Sequence, residues 1–186
     1  MPSSLAPALL VSMPQLCDPN FHRTVILLCR HSQEGALGLV VNRPLMTSGR
    51  VVVNLEASEP MSADHDLQVW VGGPVEPQKS WMLVGEQTGE EMQGRRIAER
   101  LYLSTSPDLL RRLLEPSPPS YARLIVGYAG WGPGQLEAEL QQSAWLVSEV
   151  DRDLIFSVPA EQMWETAIRR LGADPAGLQI TSGGIH

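Results

Sequence analysis

The sequence lacks the motifs that mark the common nucleotide-binding and hydrolytic sites. Its 186 residues contain no GxGxxG, GxxxxGK[ST], GxSxG or HExxH pattern. Each of these motifs places glycine, serine or histidine where a phosphate, a nucleophile or a zinc ion requires it. Their absence leaves no sequence support for a dinucleotide fold, a P-loop, a hydrolase elbow or a zinc-protease helix.

Cysteine, long apolar segments and positive charge are also scarce. Cys17 and Cys29 are the two cysteines, and their spacing fits neither a disulfide framework nor a metal site. The apolar runs fall far short of the roughly 20 residues that cross a bilayer. The net charge of −7 argues against a generic nucleic-acid binder, which presents a basic face. We therefore expect a soluble cytoplasmic protein without metal, cofactor or membrane contact.

The composition is otherwise that of an ordinary globular protein, and the apolar residues occur in short runs that predict strands. At 43% hydrophobic residues, a chain of this length predicts one domain spanning residues 1–186. Two apolar runs, Thr24–Cys29 and Ala36–Val41, are linked by a short glycine-containing segment and predict a hairpin. Helices are predicted after Ser106 and after Pro159, and Leu154–Val158 is interpreted as a short strand. Because strands dominate and helices come late, the fold class is α+β with largely antiparallel strands.

The stretch Gly127–Leu140 is the most unusual part of the chain, with four glycines and one tryptophan in fourteen residues. It predicts a strand, a glycine-rich bend and a short helix that begins at Pro133. Such a bend can bind an anion on backbone N–H groups. The alternative is a tight corner in which Trp131 fills the core.

Polar residues beside the predicted turns form the candidate ligand-binding set. If these turns meet in one cleft, the side chains can bind a small polar or anionic ligand. The alternative is that each residue caps its own turn, as Asn and Asp commonly do. The set comprises Asp18, Arg23, Asn42, Arg43, Gly72, Gly73, Gln135 and Glu139.

A catalytic interpretation has weaker support. Cys17 lies in a polar turn near His22 and His31, so a cysteine–histidine nucleophile is conceivable, but nothing else marks an activated thiolate. Glu137 and Glu139 are two residues apart and point to different faces of a helix. No catalytic residue is therefore assigned.

Several segments stand in a characteristic order and spacing over nearly the whole chain. They are Met13-Pro14, Asp18–Phe21, Gly35–Pro44, Gly72–Val75, Gly127–Trp131, Gly134–Glu137 with Glu139, and Trp145, Phe156, Trp164 and Leu171-Gly172. In these segments the chain resembles the AlgH/YqgE family of bacterial proteins. The resemblance implies an α+β domain whose β-sheets fold into a pseudo-barrel with helices outside. It implies no established enzymatic activity, and the transcriptional role after which AlgH is named looks indirect.

One segment departs from the family pattern. After Gly-Gly-Pro-Val, many relatives carry Arg-Gly-Phe and then a histidine, whereas this chain has Lys79-Ser80-Trp81 and then Val84. If that histidine is catalytic in relatives, this protein lacks it, which weakens any enzymatic interpretation that depends on it.

Three functional hypotheses follow from these features. The leading one is a non-enzymatic binding or regulatory protein that recognises a small polar ligand or a protein partner. The second is an enzyme of unknown class with a cleft near Gly127–Glu139 and Asn42-Arg43. The third is a direct DNA-binding transcriptional regulator, which the family name suggests and the acidic composition does not support. The sequence indicates no oligomeric state.

Overall fold

The computed structural model describes residues 3–16, 18–55, 59–85 and 94–181. Cys17, the candidate nucleophile, lies outside these ranges. The chain divides into two compact units. The first unit comprises Met1–Asn42 and Ala129–His186, and the second comprises Arg43–Tyr128. The single domain expected over residues 1–186 stays a prediction.

The first unit is built on antiparallel strands. Strand β1 (Ala8–Ser12) pairs with β2 (Val25–Ser32) on one side and with β12 (Trp145–Ser148) on the other. Strand β2 forms a hairpin with β3 (Gly35–Val40), so the predicted hairpin is confirmed. The last residues of β11 (Ala122–Trp131) pair antiparallel with β3.

The turn of this hairpin requires glycine. Gly35 has a φ of +133°, and a Cβ there would lie 2.3 Å from the carbonyl oxygen of Trp131. A side chain at this position would therefore force β3 away from the end of β11.

The described residues of the first unit form four helices: α2 (Gln135–Gln141), α3 (Arg152–Ser157), α4 (Ala160–Arg170) and α5 (Pro175–Thr181). Helix α4 begins after Pro159, as predicted, and buries Met163, Trp164, Ala167 and Ile168. The indole nitrogen of Trp164 donates a 2.8 Å hydrogen bond to the carbonyl oxygen of Ser12. This contact fixes α4 against the end of β1.

The second unit contains the remaining strands. They are β4 (Pro44–Thr47), β5 (Val51–Val53), β6 (Met61–Ala63), β7 (Leu67–Val71), β8 (Val75–Val84), β9 (Gly94–Ala98) and β10 (Leu101–Ser104). Together with the first part of β11, five of these strands run in the order β4-β7-β11-β8-β10-β9. The β7–β11 pair is parallel and the other pairs of this sheet are antiparallel. Strands β5 and β6 form a separate antiparallel pair.

Helix α1 (Pro107–Leu113) covers the core of the second unit. Ser106 caps it by accepting a hydrogen bond from the Leu109 N–H, and Pro107 occupies the first turn, as predicted. Its buried leucines pack on alternate residues of the strands, because every second side chain of a strand points to the same face. The core comprises Val53, Leu55, Leu67, Val69, Met82, Val84, Leu109, Leu110, Leu113, Ala122 and Leu124.

Two local predictions were wrong. Leu154–Val158 is not a strand, because α3 occupies Arg152–Ser157 and the Asp151 carboxylate caps it by accepting from the Leu154 N–H. Helix α2 begins at Gln135 rather than at Pro133, since β11 extends to Trp131 and Gly134 precedes the first helical residue with a φ of 74°. The fold class is α+β with largely antiparallel strands, as predicted.

Candidate functional site

Glu139, on the short helix α2, is the centre of a hydrogen-bond network in the first unit. Its Oε2 accepts from the indole nitrogens of Trp131 and Trp145, at 2.9 and 2.8 Å. Its Oε1 accepts from the Gln135 side-chain amide at 3.1 Å. The other end of that amide accepts from the Gly132 N–H at 3.0 Å. The carboxylate thus joins two strands to the bend before the helix.

The two tryptophans form an aromatic cluster with Phe21. The Phe21 ring stacks on Trp131 with centroids 6.4 Å apart and meets Trp145 edge-on at 6.0 Å. Trp131 and Trp145 are themselves edge-to-face at 6.2 Å, and both are buried. Edge-to-face and offset contacts at these distances are favourable for aromatic rings. Glu139 therefore orients a packed cluster through two of its three hydrogen bonds.

Glu137 points to a different side of α2 and meets His31 from strand β2. The Nε2 of His31 lies 2.5 Å from the Glu137 Oε1, and its Nδ1 accepts a 3.0 Å hydrogen bond from the Leu5 N–H. An Nδ1 that accepts carries no proton, so the ring is the neutral tautomer that donates from Nε2 to the carboxylate. The His31 side chain is only 7% exposed, compared with 44% for Glu137. The hydrogen bond from His31 holds the pKa of the Glu137 carboxyl below its usual range.

A pocket of about 400 Å³ opens beside this pair. His31 and Glu137 form one wall, and the turn of the β2–β3 hairpin and the start of the chain form the rest. Most of the surface that faces the pocket is apolar, and the polar groups that its residues offer are hydroxyl, amide and carboxylate groups, which can orient a polar ligand. The other lining residues are Ser3, Ser4, Ser32, Gln33 and Glu34.

Two further observations concern metals and membranes. Across residues 3–16, 18–55, 59–85 and 94–181, no three His, Cys, Asp or Glu side chains come together as a metal site would need. Within the same part of the chain, no helix is long and apolar enough to cross a membrane.

The comparison with known proteins assigns the family. Residues 9–176 match the family model described as AlgH-like. The chain belongs to the AlgH-like family. It is 41% identical over 191 residues to a UPF0301 protein of Anaeromyxobacter dehalogenans strain 2CP-1, covering 100% of this chain and 97% of that one. It is 38% identical over 188 residues to a UPF0301 protein of Stenotrophomonas maltophilia strain R551-3, covering 99% and 98%.

Two solved structures share the AlgH-like fold. The solution structure of AlgH from Pseudomonas aeruginosa matches with a TM-score of 0.66 and 32% identity, covering 96% of this chain and 95% of that one. A crystal structure of a Corynebacterium diphtheriae protein matches with a TM-score of 0.64 and 22% identity, covering 91% and 88%. The match to AlgH confirms the fold that the resemblance implied: α+β, with mostly antiparallel strands curled into a partial barrel and a few helices.

In this AlgH-like chain, the predicted site residues of the first unit form hydrogen bonds or ion pairs with other residues of that unit. Asn42 accepts from the Val25 N–H at 3.1 Å and donates to the Arg23 carbonyl at 3.0 Å. Asp18 accepts from the Asn20 N–H at 2.8 Å. Arg23 forms a 2.8 Å ion pair with Glu165 and stacks over the Trp164 ring at 4.6 Å. Asn42 and Arg23 are thus brought together, while Gln135 and Glu139 form the separate network described above.

The other three predicted residues lie in the second unit. The Arg43 carbonyl accepts from the Val71 N–H at 2.9 Å, and the Gly72 N–H donates to the Val126 carbonyl at 2.8 Å. The Gly73 carbonyl oxygen lies so close to Gly127 that a Cβ added to Gly127 would be 2.3 Å from it. Their backbone groups therefore serve strand pairing and a close contact. A ligand-binding role for the eight predicted residues stays a prediction.

Sequence reasoning missed the His31–Glu137 pair and the pocket beside it. The two residues are 106 positions apart, and the sequence relates each to other residues: His31 to Cys17, and Glu137 to Glu139. The sequence shows only that Glu137 and Glu139 are two residues apart on a predicted helix, and this spacing correctly indicated that the two side chains point in different directions. What each carboxylate meets depends on how β2, β11 and β12 assemble.

Proposed function

We propose that this AlgH-like protein is a non-enzymatic binding protein whose ligand is small, polar and rich in hydroxyl or ammonium groups. The observation that carries the proposal is the pocket beside His31 and Glu137, with its hydroxyls, amide and two carboxylates. Hydroxyl and ammonium groups pair well with such acceptors. Glu34 and Glu137 disfavour an anionic ligand, since like charges repel.

The state of His31 supports binding rather than catalysis. A general base needs a ring nitrogen that can take a proton from the substrate. In His31, the Nδ1 already accepts from Leu5 and the Nε2 donates to Glu137. Using this histidine as a base would break the contact that positions the start of the chain. Glu139 is similarly held by its three donors.

A regulatory role would follow from such binding. In this proposal the protein acts in the cytoplasm, where a thiol such as Cys29 stays reduced, and signals through its ligand or through a protein partner. The net charge of −7 supports a route other than direct DNA contact.

The test is a ligand titration followed by two-dimensional NMR. Glucose, ethanolamine and spermidine probe the proposed chemistry, and inorganic phosphate is the anionic comparison. We expect a saturable shift of the Ser32, Gln33 and Glu34 amides with at least one of the first three probes. Preferential binding of phosphate, or saturation without any response from these amides, would contradict the proposed pocket.

A pair of glutamine variants tests the site. Gln33→Ala removes a pocket amide in an exposed turn, and we expect it to weaken binding by about two- to tenfold, the equivalent of one hydrogen bond. Gln162→Ala removes an exposed glutamine from α4 and should leave binding unchanged. The same samples, kept with ligand for a day, should show no chemical change in the ligand. Conversion of the ligand would refute the non-enzymatic role.

A further inference from the structure

The second unit contains a cleft beside the paired parallel strands β7 and β11. Their pairing covers Ile125 opposite Trp70 and Val126 opposite Val71. Residues that precede these positions on both strands line a cavity of about 210 Å³, together with the segment that follows α1. The cavity thus lies at the N-terminal ends of the paired positions and has residues of both strands in its wall.

Arg123 supplies a positive charge in this cleft. Its guanidinium lies over the Trp70 ring, 4.1 Å from the centroid, and Trp70 is buried with 7% of its surface exposed. Stacking on an aromatic ring fixes the plane of a guanidinium, and the planar group matches a carboxylate through two parallel hydrogen bonds. Burial lowers the pKa of Arg123, which marks a partly desolvated cation. With five N–H donors, the group can bind a ligand alongside its contacts within the protein.

The remaining walls select the kind of anion. Leu113 and three prolines, Pro116, Pro118 and Pro119, give an apolar and conformationally restricted surface. Asp66 and Glu115 also line the cleft and repel multiply charged anions more strongly than singly charged ones. The small volume limits the ligand to a few heavy atoms beyond its charged group. These features favour a monoanion with a compact apolar body over phosphate.

We propose that this cleft binds a small organic monocarboxylate. The carboxylate pairs with the Arg123 guanidinium, and the apolar body lies against the proline-lined wall. This site belongs to the second unit and does not depend on the pocket beside His31, so either proposal can fail while the other stands.

The test is a titration of ¹⁵N-labelled protein with benzoate, benzamide and inorganic phosphate. Benzamide has the shape of benzoate without its charge, and phosphate has charge without the apolar body. We expect a saturable response of the Trp70 indole and of the Gln68 and Ser120 amides to benzoate alone. Binding of benzamide as tight as benzoate, tighter binding of phosphate, or no saturable response to benzoate at tens of millimolar would each overturn the proposal.

Variants assign the binding to the guanidinium. Arg123→Gln should weaken benzoate binding at least about tenfold, because hydrogen bonds to a charged group are lost. Arg123→Lys keeps the charge without the planar fork and should give an intermediate loss. Arg95→Gln removes an exposed arginine from the same unit and should have no effect. Wild-type affinity in Arg123→Gln would refute the site; if that variant does not fold, the benzoate and benzamide titrations of the wild-type protein decide the outcome.

Discussion

Removal of the Glu139 carboxylate tests whether this residue serves the fold. Glu139→Ala leaves the indole N–H groups of Trp131 and Trp145 without their acceptor. A buried donor without a partner costs about 1–3 kcal/mol, so two such donors predict about 2–6 kcal/mol. Glu139 is only partly buried, and water can replace part of the loss. We therefore expect a decrease of about 3 kcal/mol in the free energy of unfolding, which is large against the 5–15 kcal/mol typical of a domain.

Glu139→Gln is the matched variant that separates charge from shape. Its amide oxygen can still accept from both indoles, but its NH₂ group would face the Gln135 side-chain NH₂. The hydrogen bonds also change from charge-assisted to neutral, which halves their usual contribution. The expected loss is about 1–2 kcal/mol, smaller than that of the alanine variant.

Urea unfolding followed by far-ultraviolet circular dichroism measures both losses. Glu149→Ala, an exposed carboxylate change in the same unit, is the control and should lie within about 0.5 kcal/mol of wild type. NMR should show the indole N–H resonances of Trp131 and Trp145 shifted in Glu139→Ala and those of Trp70 and Trp81 unchanged. A Glu139→Ala variant as stable as the control, with unshifted indole resonances, would refute the structural role and restore Glu139 as a candidate for ligand binding.

Three further predictions test the local geometry. Gly127 and Gly134 share a φ of +74°, but a Cβ at 127 would lie 2.3 Å from the Gly73 carbonyl oxygen, whereas one at 134 meets nothing within 4 Å. Gly134→Ala should therefore cost about 1 kcal/mol and Gly127→Ala about 3 kcal/mol or more in urea unfolding, and equal costs would contradict this account. The hydrogen bond from His31 lowers the pKa of Glu137 from its usual 4.5, so its stabilisation is complete above that value and is lost as pH falls through the lower native pKa. Because Glu137 is 44% exposed, Glu137→Gln should lower the free energy of unfolding by under about 1 kcal/mol at pH values above 4.5 and by nothing once the wild-type carboxyl is protonated, so superimposable wild-type and variant stability–pH curves would exclude the contribution. Asp151 caps α3 and forms an ion pair with Arg170 at 2.6 Å. Asp151→Ala should therefore lower the free energy of unfolding by about 1–2 kcal/mol, and Asp151→Asn, which keeps the cap, by under about 1 kcal/mol. Equal losses in thermal unfolding would show that the cap contributes little.

The parts of the fold that depend on neighbouring residues could be predicted from the sequence. The hairpin of β2 and β3 follows from two apolar runs around a turn, and α1 follows from Ser106 and Pro107. The segment Leu154–Val158 shows where this fails, because a short and mostly apolar run of five residues fits a strand or a helix equally well. The decisive residue was Asp151, whose carboxylate accepts from the Leu154 N–H and starts the helix.

The candidate site could be predicted only in part, because its partners are distant in the chain. Glu139 was identified from its place on α2, and Trp131 from the same stretch, but Trp145 reaches the carboxylate through the position of β12. The His31–Glu137 pair depends on the same assembly. Hydrogen-bond partners that belong to different strands leave no local pattern, so the pocket beside them was not visible in the sequence.

Arg123 did leave a local signal. It stands between Ala122 and Leu124, which both pack in the core of the second unit, so strand alternation places Arg123 on the opposite face. Val69 and Met82 also pack in that core, so the same alternation places their neighbours Trp70 and Trp81 on the face that Arg123 occupies. Lys79 stacks over Trp81 at 5.2 Å, as Arg123 does over Trp70. This face therefore contains two cation–aromatic pairs, and one of them includes the Lys79–Trp81 stretch that departs from the family pattern. A charged residue inside an apolar strand is costly unless something pairs with it, so a cation conserved in such a place would be a better guide to an anion site than the glycine-rich bend. An AlgH-like relative with a neutral residue in place of Arg123 should accordingly lack the benzoate site, whatever the rest of its fold.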